Sequence, residues 1–446
     1  MERAETRARP VPFTLRVEAE GALLYRRADH AYTRRTAAES FLMVASRELP
    51  LDDAVDTLAR SVGTLEAQQA RADLEALGVF GLDGVFAGRI VELPRVHQGY
   101  GAPLVAHLGV TLACNFSCAH CYSSSGKRAP GELTFKEIAG LVEQLAEMGC
   151  VKLVLGGGEP FLRKDLPRVV RKADEVGVDT FVHTNASLLK PAVLQALSEC
   201  PPAGLSVSLD GPDEDTNDAI RGPGTFQKAL RGMLQLREHY APGFNISVTI
   251  TPRNAPDAAR MVELAHQEGA RVLLLRPAYP AGEAQANPGL VCDRDTFSRA
   301  IDRARVRAAE LGVTLDAPHP EEAGEPDFPG FGCVAGKVVM GISPTGNVTP
   351  CLNLPGAYES GNVRETLLWD LWAGGAAFTQ LRAIDANAQC MSCRHHDTCR
   401  GGCRVRALYA GNGLEGPDSW CHYEPREGMA PVTFPRRGAS LLRVVG

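Results

Sequence analysis

The stretch CNFSCAHCY, residues 114–122, decides how this chain is read. Four-iron cubane clusters are held by Cys thiolates. Three cysteines at CxxxCxxC spacing, Cys114, Cys118 and Cys121, hold three irons of such a cluster and leave the fourth open to a ligand. The apolar run before them, Val105 to Thr111, reads as a strand, so the loop sits at a strand's C-terminal end. The alternative is a zinc knuckle or a set of buried thiols. Structural zinc wants a fourth Cys or His nearby, and the only candidate, His120, is wedged inside the loop itself.

Working outward, short apolar runs alternate with helical patterns as far as about Leu315. The runs are VKLVL, TFVHT, LSVSL, NISVTI and RVLLL, and the helical stretches include Thr134 to Met148, Leu166 to Val176, Thr225 to Tyr240 and Asp295 to Leu311. With the strand before the cysteine loop this makes six β-α units, which predicts an α/β fold with a parallel, partial (β/α)6 TIM-like barrel. Active sites of such barrels collect at the C-terminal ends of the strands, where the cysteine loop falls.

Residues 12–90 carry a different pattern. Two short strands, FTLRVEA and ALLYRR, meet at Glu20-Gly21, and helices follow near Ala37 to Val44, Leu51 to Ser61 and Leu65 to Leu77. This predicts a small winged-helix module. Residues from about 330 to 425 are loop-rich and stapled by cysteines: Cys333-x12-Gly346-x4-Cys351, then Cys390-x2-Cys393-x5-Cys399-x3-Cys403, and Cys421 after seventeen more residues. Tandem zinc sites are the alternative for those CxxC pairs. The expected division is therefore 1–95, 96–318, 319–430 and a tail at 431–446.

Composition narrows the function. The chain has 446 residues, 44% hydrophobic and 22% charged, with a net charge of −6. That is ordinary globular composition, without the basic surplus of a nucleic-acid binder. The third helix of the first module, LEAQQARADLEAL, has three acidic residues and one Arg, a poor surface for a phosphate groove. No apolar run approaches a membrane span and the N-terminus lacks a signal-peptide core, which predicts a cytoplasmic protein. Of the 13 cysteines, Cys150, Cys200 and Cys292 fall outside any pattern and read as free thiols.

With CNFSCAHCY after the first strand, GGGEP at 156–160 after the second and SVSLDG at 206–211 closing the fourth, the chain resembles the radical S-adenosylmethionine (SAM) superfamily. The resemblance implies SAM chelated to the open iron and cleaved at its sulfonium to a 5′-deoxyadenosyl radical. It implies Gly157, Gly158 and Glu159 at the SAM amino group, with Glu159 an acceptor for the ammonium. Ser208 and Arg221 would meet carboxylate and ribose oxygens, since Arg is the natural partner of a carboxylate, and Tyr122 would pack near the adenine. Read without the family, Asp210-Gly211-Pro212 is equally a turn and Arg221 a surface charge. His183 and Asn185 end the third strand, a position from which they could line the pocket, but His183 reads as structural.

The seven-cysteine run resembles the SPASM extension of radical SAM enzymes at every spacing, which implies two auxiliary four-iron clusters and three in all. Cys390, Cys393, Cys399 and Cys421 would ligate the outer one completely. Cys333, Cys351 and Cys403 would leave the inner one a thiolate short, because no cysteine lies between Val334 and Pro350. Its fourth iron is then open or bound by a non-Cys group, with Cys292 the remaining thiol that would complete it.

The N-terminal order, with GALLYRR, LPLDDAVDTLA and ALGVFGL as anchors, resembles the peptide-chaperone fold of pyrroloquinoline quinone biosynthesis. That implies recognition of a ribosomally made precursor peptide through its leader, and an oxidation in which an external donor such as flavodoxin or ferredoxin supplies electrons. The stretch CNFSCAHCYSSSGKRAPGEL looks most like mycofactocin-type maturases. Three other readings stand beside it. A sulfatase-maturing enzyme would have an Asp where this chain has Leu352. Some SPASM relatives act on small molecules or haem precursors. A non-catalytic iron–sulfur electron carrier would have no use for GGGEP and SVSLDG.

Overall fold

The computed structural model describes residues 11–18, 21–94, 99–318, 332–384 and 388–425. Glu20 of the expected first turn and the expected tail at 431–446 lie outside them. In the N-terminal module, β1 (Phe13–Glu18), β2 (Gly21–Arg26) and β3 (Ala31–Arg35) form an antiparallel run, and β4 (Gly88–Glu92) returns parallel to β1, giving the order β3-β2-β1-β4. Helices Ala37–Ala45, Leu51–Val62 and Thr64–Ala76 cover one face, close to the bounds predicted. β3 and β4 are additions to the expected elements: AYTRR and GRIVE are short and mostly half-buried, so neither shows a clean alternation.

The six predicted strands are β5 (Val105–Thr111), β6 (Lys152–Gly157), β7 (Asp179–Thr184), β8 (Gly204–Ser208), β9 (Asn245–Ile250) and β10 (Leu273–Pro277), adjacent in chain order and parallel throughout. Each side of this sheet is extended. Two-residue β11 (Leu315–Asp316) joins β10, and β12 (Val339–Ile342) from the cysteine-rich segment joins β5 in parallel, with β13 (Val348–Thr349) beyond it. The barrel and the cysteine-rich segment therefore share one nine-stranded sheet. Strands of two to four residues amid Cys and Gly leave no periodic signal.

Helix Phe135–Glu147 shows how the helical layer is specified. Thr134 and Glu137 form a reciprocal capping box, and Ile138, Leu141, Val142 and Leu145 make the buried stripe against the sheet. Each such side chain contributes about 1.5–3 kcal/mol by leaving water.

The N-terminal module closes on the start of β7. Asp179, 4% exposed, accepts hydrogen bonds from Tyr25 Oη at 2.6 Å and Arg27 Nε at 2.7 Å, and pairs with His30 Nδ1 at 2.7 Å. Burial alone would raise this carboxyl, but those three partners hold it below its usual range. Lys152 of β6 stands over the Tyr32 ring at 4.4 Å, and His30 meets Phe181 edge-on at 5.7 Å. The module thus covers the N-terminal end of the barrel, opposite the cysteine loop. Among the described residues no helix is long and apolar enough to cross a membrane.

Candidate active site

The cysteine loop leaves β5 and is fixed by its backbone. Gly126 N–H donates to Leu112 O at 2.8 Å, and Cys114 N–H to Gly126 O at 2.9 Å. Buried Glu132 accepts from Leu112 N at 2.8 Å, Ala129 N at 3.1 Å and the Thr111 hydroxyl at 2.9 Å. The end of β6 is zipped to the same loop, Gly158 N–H to Thr111 O at 2.7 Å and Glu159 N–H to Ala113 O at 2.8 Å. This approach leaves no room for side chains. A Cβ on Gly157 would stand 2.4 Å from Thr111 O, and one on Gly158 2.0 Å from Ala113 O.

The donor set fits an iron–sulfur cluster. All three thiols are free. Cys118 feels the thiols of both Cys114 and Cys121, so the three share one space. Cys114 Sγ accepts from Phe116 N–H and Cys121 Sγ from Ser125 N–H, each at 3.5 Å, the direction of bonding a thiolate on iron receives. Burial pushes Cys118 up to about 11, against the pull of Arg221; ligation must therefore displace a firmly held proton. Among the described residues no three Cys, His, Asp or Glu side chains converge to hold a single metal ion. A cubane spreads its thiolates over separate irons. His120 is turned away from such a role: Nε2 lies 2.6 Å from Asp210 Oδ2, and Nδ1 is buried without a partner.

Glu159, expected at the SAM amino group, is placed just past the end of β6. Its carboxylate is fully buried and spent on protein, Oε1 on the Phe161 N–H at 3.1 Å and the Thr184 hydroxyl at 2.7 Å, Oε2 on the Asn185 N–H at 2.7 Å. It anchors the ends of β6 and β7 to each other. Burial pushes Glu159 up to about 7, despite those three donors. The folded chain therefore keeps a proton that the unfolded chain releases near pH 4.5. Stability should fall as pH rises from there through about 7, by on the order of 3 kcal/mol for this group. Glu159→Gln should flatten that part of the pH profile in denaturant titrations. At low pH it should cost about 1–3 kcal/mol, because an amide NH2 leaves one of the buried donors unpaired. An unchanged profile would remove Glu159 as the titrating group.

Arg221, 8% exposed, sits between Asp210, with Nε 2.6 Å from Oδ2, and the thiols of Cys118 and Cys121. Burial works upward on Asp210, but Arg221, His120 and the Thr249 N–H outweigh it and hold this carboxyl at about 2. Arg221 is thus beside the cluster loop but already paired. Ser208 is at the end of β8, half-buried. Tyr122 is 38% exposed, yet burial pushes its hydroxyl up to about 12, with the Cys121 and Cys351 thiols adding to the effect. It therefore lies between the first cysteine site and the cysteine-rich segment.

The seven cysteines of the C-terminal run lie in two sets of electrostatic neighbours. Cys351 feels Cys333 and Cys403, while Cys421 feels Cys390, Cys393 and Cys399. All seven line one cavity of about 950 Å³. Burial raises Cys351 and Cys421 to about 12. Asp418, absent from the sequence reading, ties the groups together: it accepts from Cys403 N–H at 2.8 Å, its carbonyl accepts from Cys421 N–H at 2.9 Å, and Arg406 clamps its carboxylate at 2.6 and 2.8 Å. Cys292 does not join the inner trio. Its thiol is buried in the barrel core and points to Ile250 O at 3.7 Å, while its carbonyl accepts from Trp420 Nε1 at 3.1 Å. Leu352 packs against β12, where a Cβ on Gly341 would meet it at 2.7 Å.

Residues 108–265 match the radical SAM superfamily and residues 333–399 the SPASM iron–sulfur cluster-binding domain. The chain belongs to the radical SAM superfamily, in the branch carrying a SPASM domain, and is an enzyme whose cofactors are four-iron clusters and SAM. It is 33% identical over 348 residues to the mycofactocin maturase MftC of Mycobacterium tuberculosis, covering 76% of this chain and 88% of that one. It is 30% identical over 352 residues to the AdoMet-dependent heme synthase of Methanosarcina barkeri, covering 73% and 97%. SuiB of Streptococcus suis, in a crystal structure bound to its precursor peptide SuiA, shares the fold with a TM-score of 0.73 at 16% identity, over 93% of this chain and 99% of that one.

Proposed function

We propose that this enzyme oxidatively modifies a ribosomally made precursor peptide, by cross-linking, desaturation or decarboxylation. Residues 1–95 hold the leader, 96–318 bind SAM and generate the radical, and 319–430 carry two auxiliary clusters. Cys114, Cys118 and Cys121 would hold the SAM-binding cluster. Cys333, Cys351 and Cys403 would hold the inner auxiliary one, and Cys390, Cys393, Cys399 and Cys421 the outer. Bound SAM supplies the 5′-deoxyadenosyl radical. The chain's own part is to cradle it with the Gly157 and Gly158 backbone, to flank it with Ser208, Arg221 and Tyr122, and to exclude water. An external one-electron donor of the flavodoxin or ferredoxin kind supplies electrons.

The observation that carries this reading is the N-terminal module docked on Asp179. A match over 93% of the chain has to extend into that module, and SuiB is a protein seen with its precursor peptide bound. Identity to the maturase MftC points the same way. The heme synthase relatives favour a second reading, a tetrapyrrole substrate.

The test is to incubate reconstituted enzyme, SAM and reductant with short peptides encoded beside its gene, following peptide mass and 5′-deoxyadenosine. Loss of two hydrogens, with or without carbon dioxide, is expected. Deoxyadenosine formation enhanced by a haem precursor, with every peptide unchanged, would replace this reading by the second.

A further inference from the structure

The barrel interior holds a titratable group that the cofactor sites do not use. Along β7, Val182 and Thr184 are fully buried, with Val182 in the core beneath the helices. His183, between them, therefore faces the lumen. Its height in the lumen is set by three contacts. The register that pairs Leu155 with Val182 puts Gly156 beside His183. Tyr122 Oη lies 3.9 Å from where a Gly156 Cβ would stand, so the Tyr122 hydroxyl occupies the same layer. Two residues further along the same face, Asn185 Nδ2 donates to Asn115 Oδ1 of the cysteine loop at 3.0 Å. His183 is thus on the lumen wall directly below that loop. Its ring nitrogens have no hydrogen-bond partner among the described residues and are not among the sealed polar atoms, so they stay accessible.

We infer that His183 accepts the proton released when the substrate is oxidised, an inference that rests on the oxidative reading above. Removal of a hydrogen atom from a substrate C–H gives 5′-deoxyadenosine and a carbon radical. To become a double bond or a cross-link, that radical gives up one electron and, from a neighbouring C–H, N–H, O–H or S–H, one proton. The electron goes to a one-electron acceptor of the iron–sulfur class. The proton goes to an open imidazole nitrogen of His183, and from there to solvent.

Burial, the neighbouring His107 and Arg276 hold His183 down at about 4, so it waits neutral with a lone pair free. So weak a base takes protons only from strong acids, and an organic group that has just lost an electron is one. His107 is also neutral and unpartnered among the described residues, but it lies one layer lower, level with Val154 and Phe181, toward the end that the N-terminal module closes. Its distance from the cysteine loop gives it no part in the transfer.

The test compares wild type, His183→Gln and His107→Gln as full-length reconstituted enzymes with the precursor peptide. Gln keeps polarity and approximate size but takes no proton. Iron content, the SAM-dependent EPR change and peptide affinity should match wild type in both variants. In His183→Gln, oxidised peptide formed per 5′-deoxyadenosine should fall about 10²-fold, with a substrate radical accumulating in the EPR spectrum. His107→Gln should keep wild-type coupling. In a second variant, His183→Gly, added imidazole should restore coupling. Wild-type coupling in His183→Gln, equal loss in both Gln variants, or no rescue by imidazole would overturn the inference. Wild type that oxidises no peptide at all would instead sink the reading on which it rests, before any variant is compared.

Discussion

Replacing Cys114, Cys118 and Cys121 together by Ala should lower the iron of anaerobically reconstituted protein from about twelve to about eight per chain, and abolish the EPR response to SAM. The fold should survive. The loop's path is held at both ends by backbone bonds among Leu112, Cys114 and Gly126 and by the Glu132 carboxylate, and the Ala variant removes only two long N–H bonds to sulfur. The auxiliary groups should survive too, because their seven cysteines line a separate cavity and are tied to each other through Asp418. The expected result is thus selective: four irons lost, about eight retained, and no 5′-deoxyadenosine formed. Retention of all iron would mean that these three thiols hold no cluster. Loss of all iron would mean that the auxiliary sites depend on the first, contrary to their separate anchoring.

Much of this was legible in the residues, for a physical reason. The six barrel strands are short, mostly apolar runs between amphipathic helices, and cysteine spacing is chemistry written directly into sequence. Cys351 has Cys333 and Cys403 as neighbours, and Cys421 has Cys390, Cys393 and Cys399. Contacts between distant segments were not legible. Nothing in VMGI announces a strand that pairs with β5. Nothing marks Asp179 as the partner of Tyr25, 154 positions earlier. Glu159 shows a subtler case of the same kind. GGGEP suggested a carboxylate offered to a ligand, but Thr184 and Asn185, on the next strand, turn it inward. Likewise Cys292 was a free thiol by sequence, and only the fold shows it aimed at Ile250 rather than at the inner trio.

Gly158→Ala should be the most damaging single methyl group in the chain's first cofactor site. The added Cβ would sit 2.0 Å from Ala113 O and 2.6 Å from Ala113 C, both backbone atoms of the residue just before Cys114. A flexible side chain could swing aside, but a carbonyl that already accepts the Glu159 N–H at 2.8 Å cannot. The end of β6 and the cysteine loop must separate, and the zip of hydrogen bonds between them opens. Overpacking of this kind costs about 1–3 kcal/mol of stability. The larger effect is on the site, because a loop displaced by about 1 Å no longer presents three thiolates and the SAM cradle in register. Iron should fall toward about eight per chain, or, where the cluster survives, the KM for SAM should rise more than about tenfold. Gly126→Ala is the matched control. It lies in the same loop, has no strained backbone angle, and its Cβ would meet nothing within 4 Å, so iron and SAM response should stay at wild-type levels. A Gly158→Ala enzyme that binds its full iron and SAM with wild-type affinity would show that the backbone cradle between Ala113 and Gly158 is not what holds the cofactor.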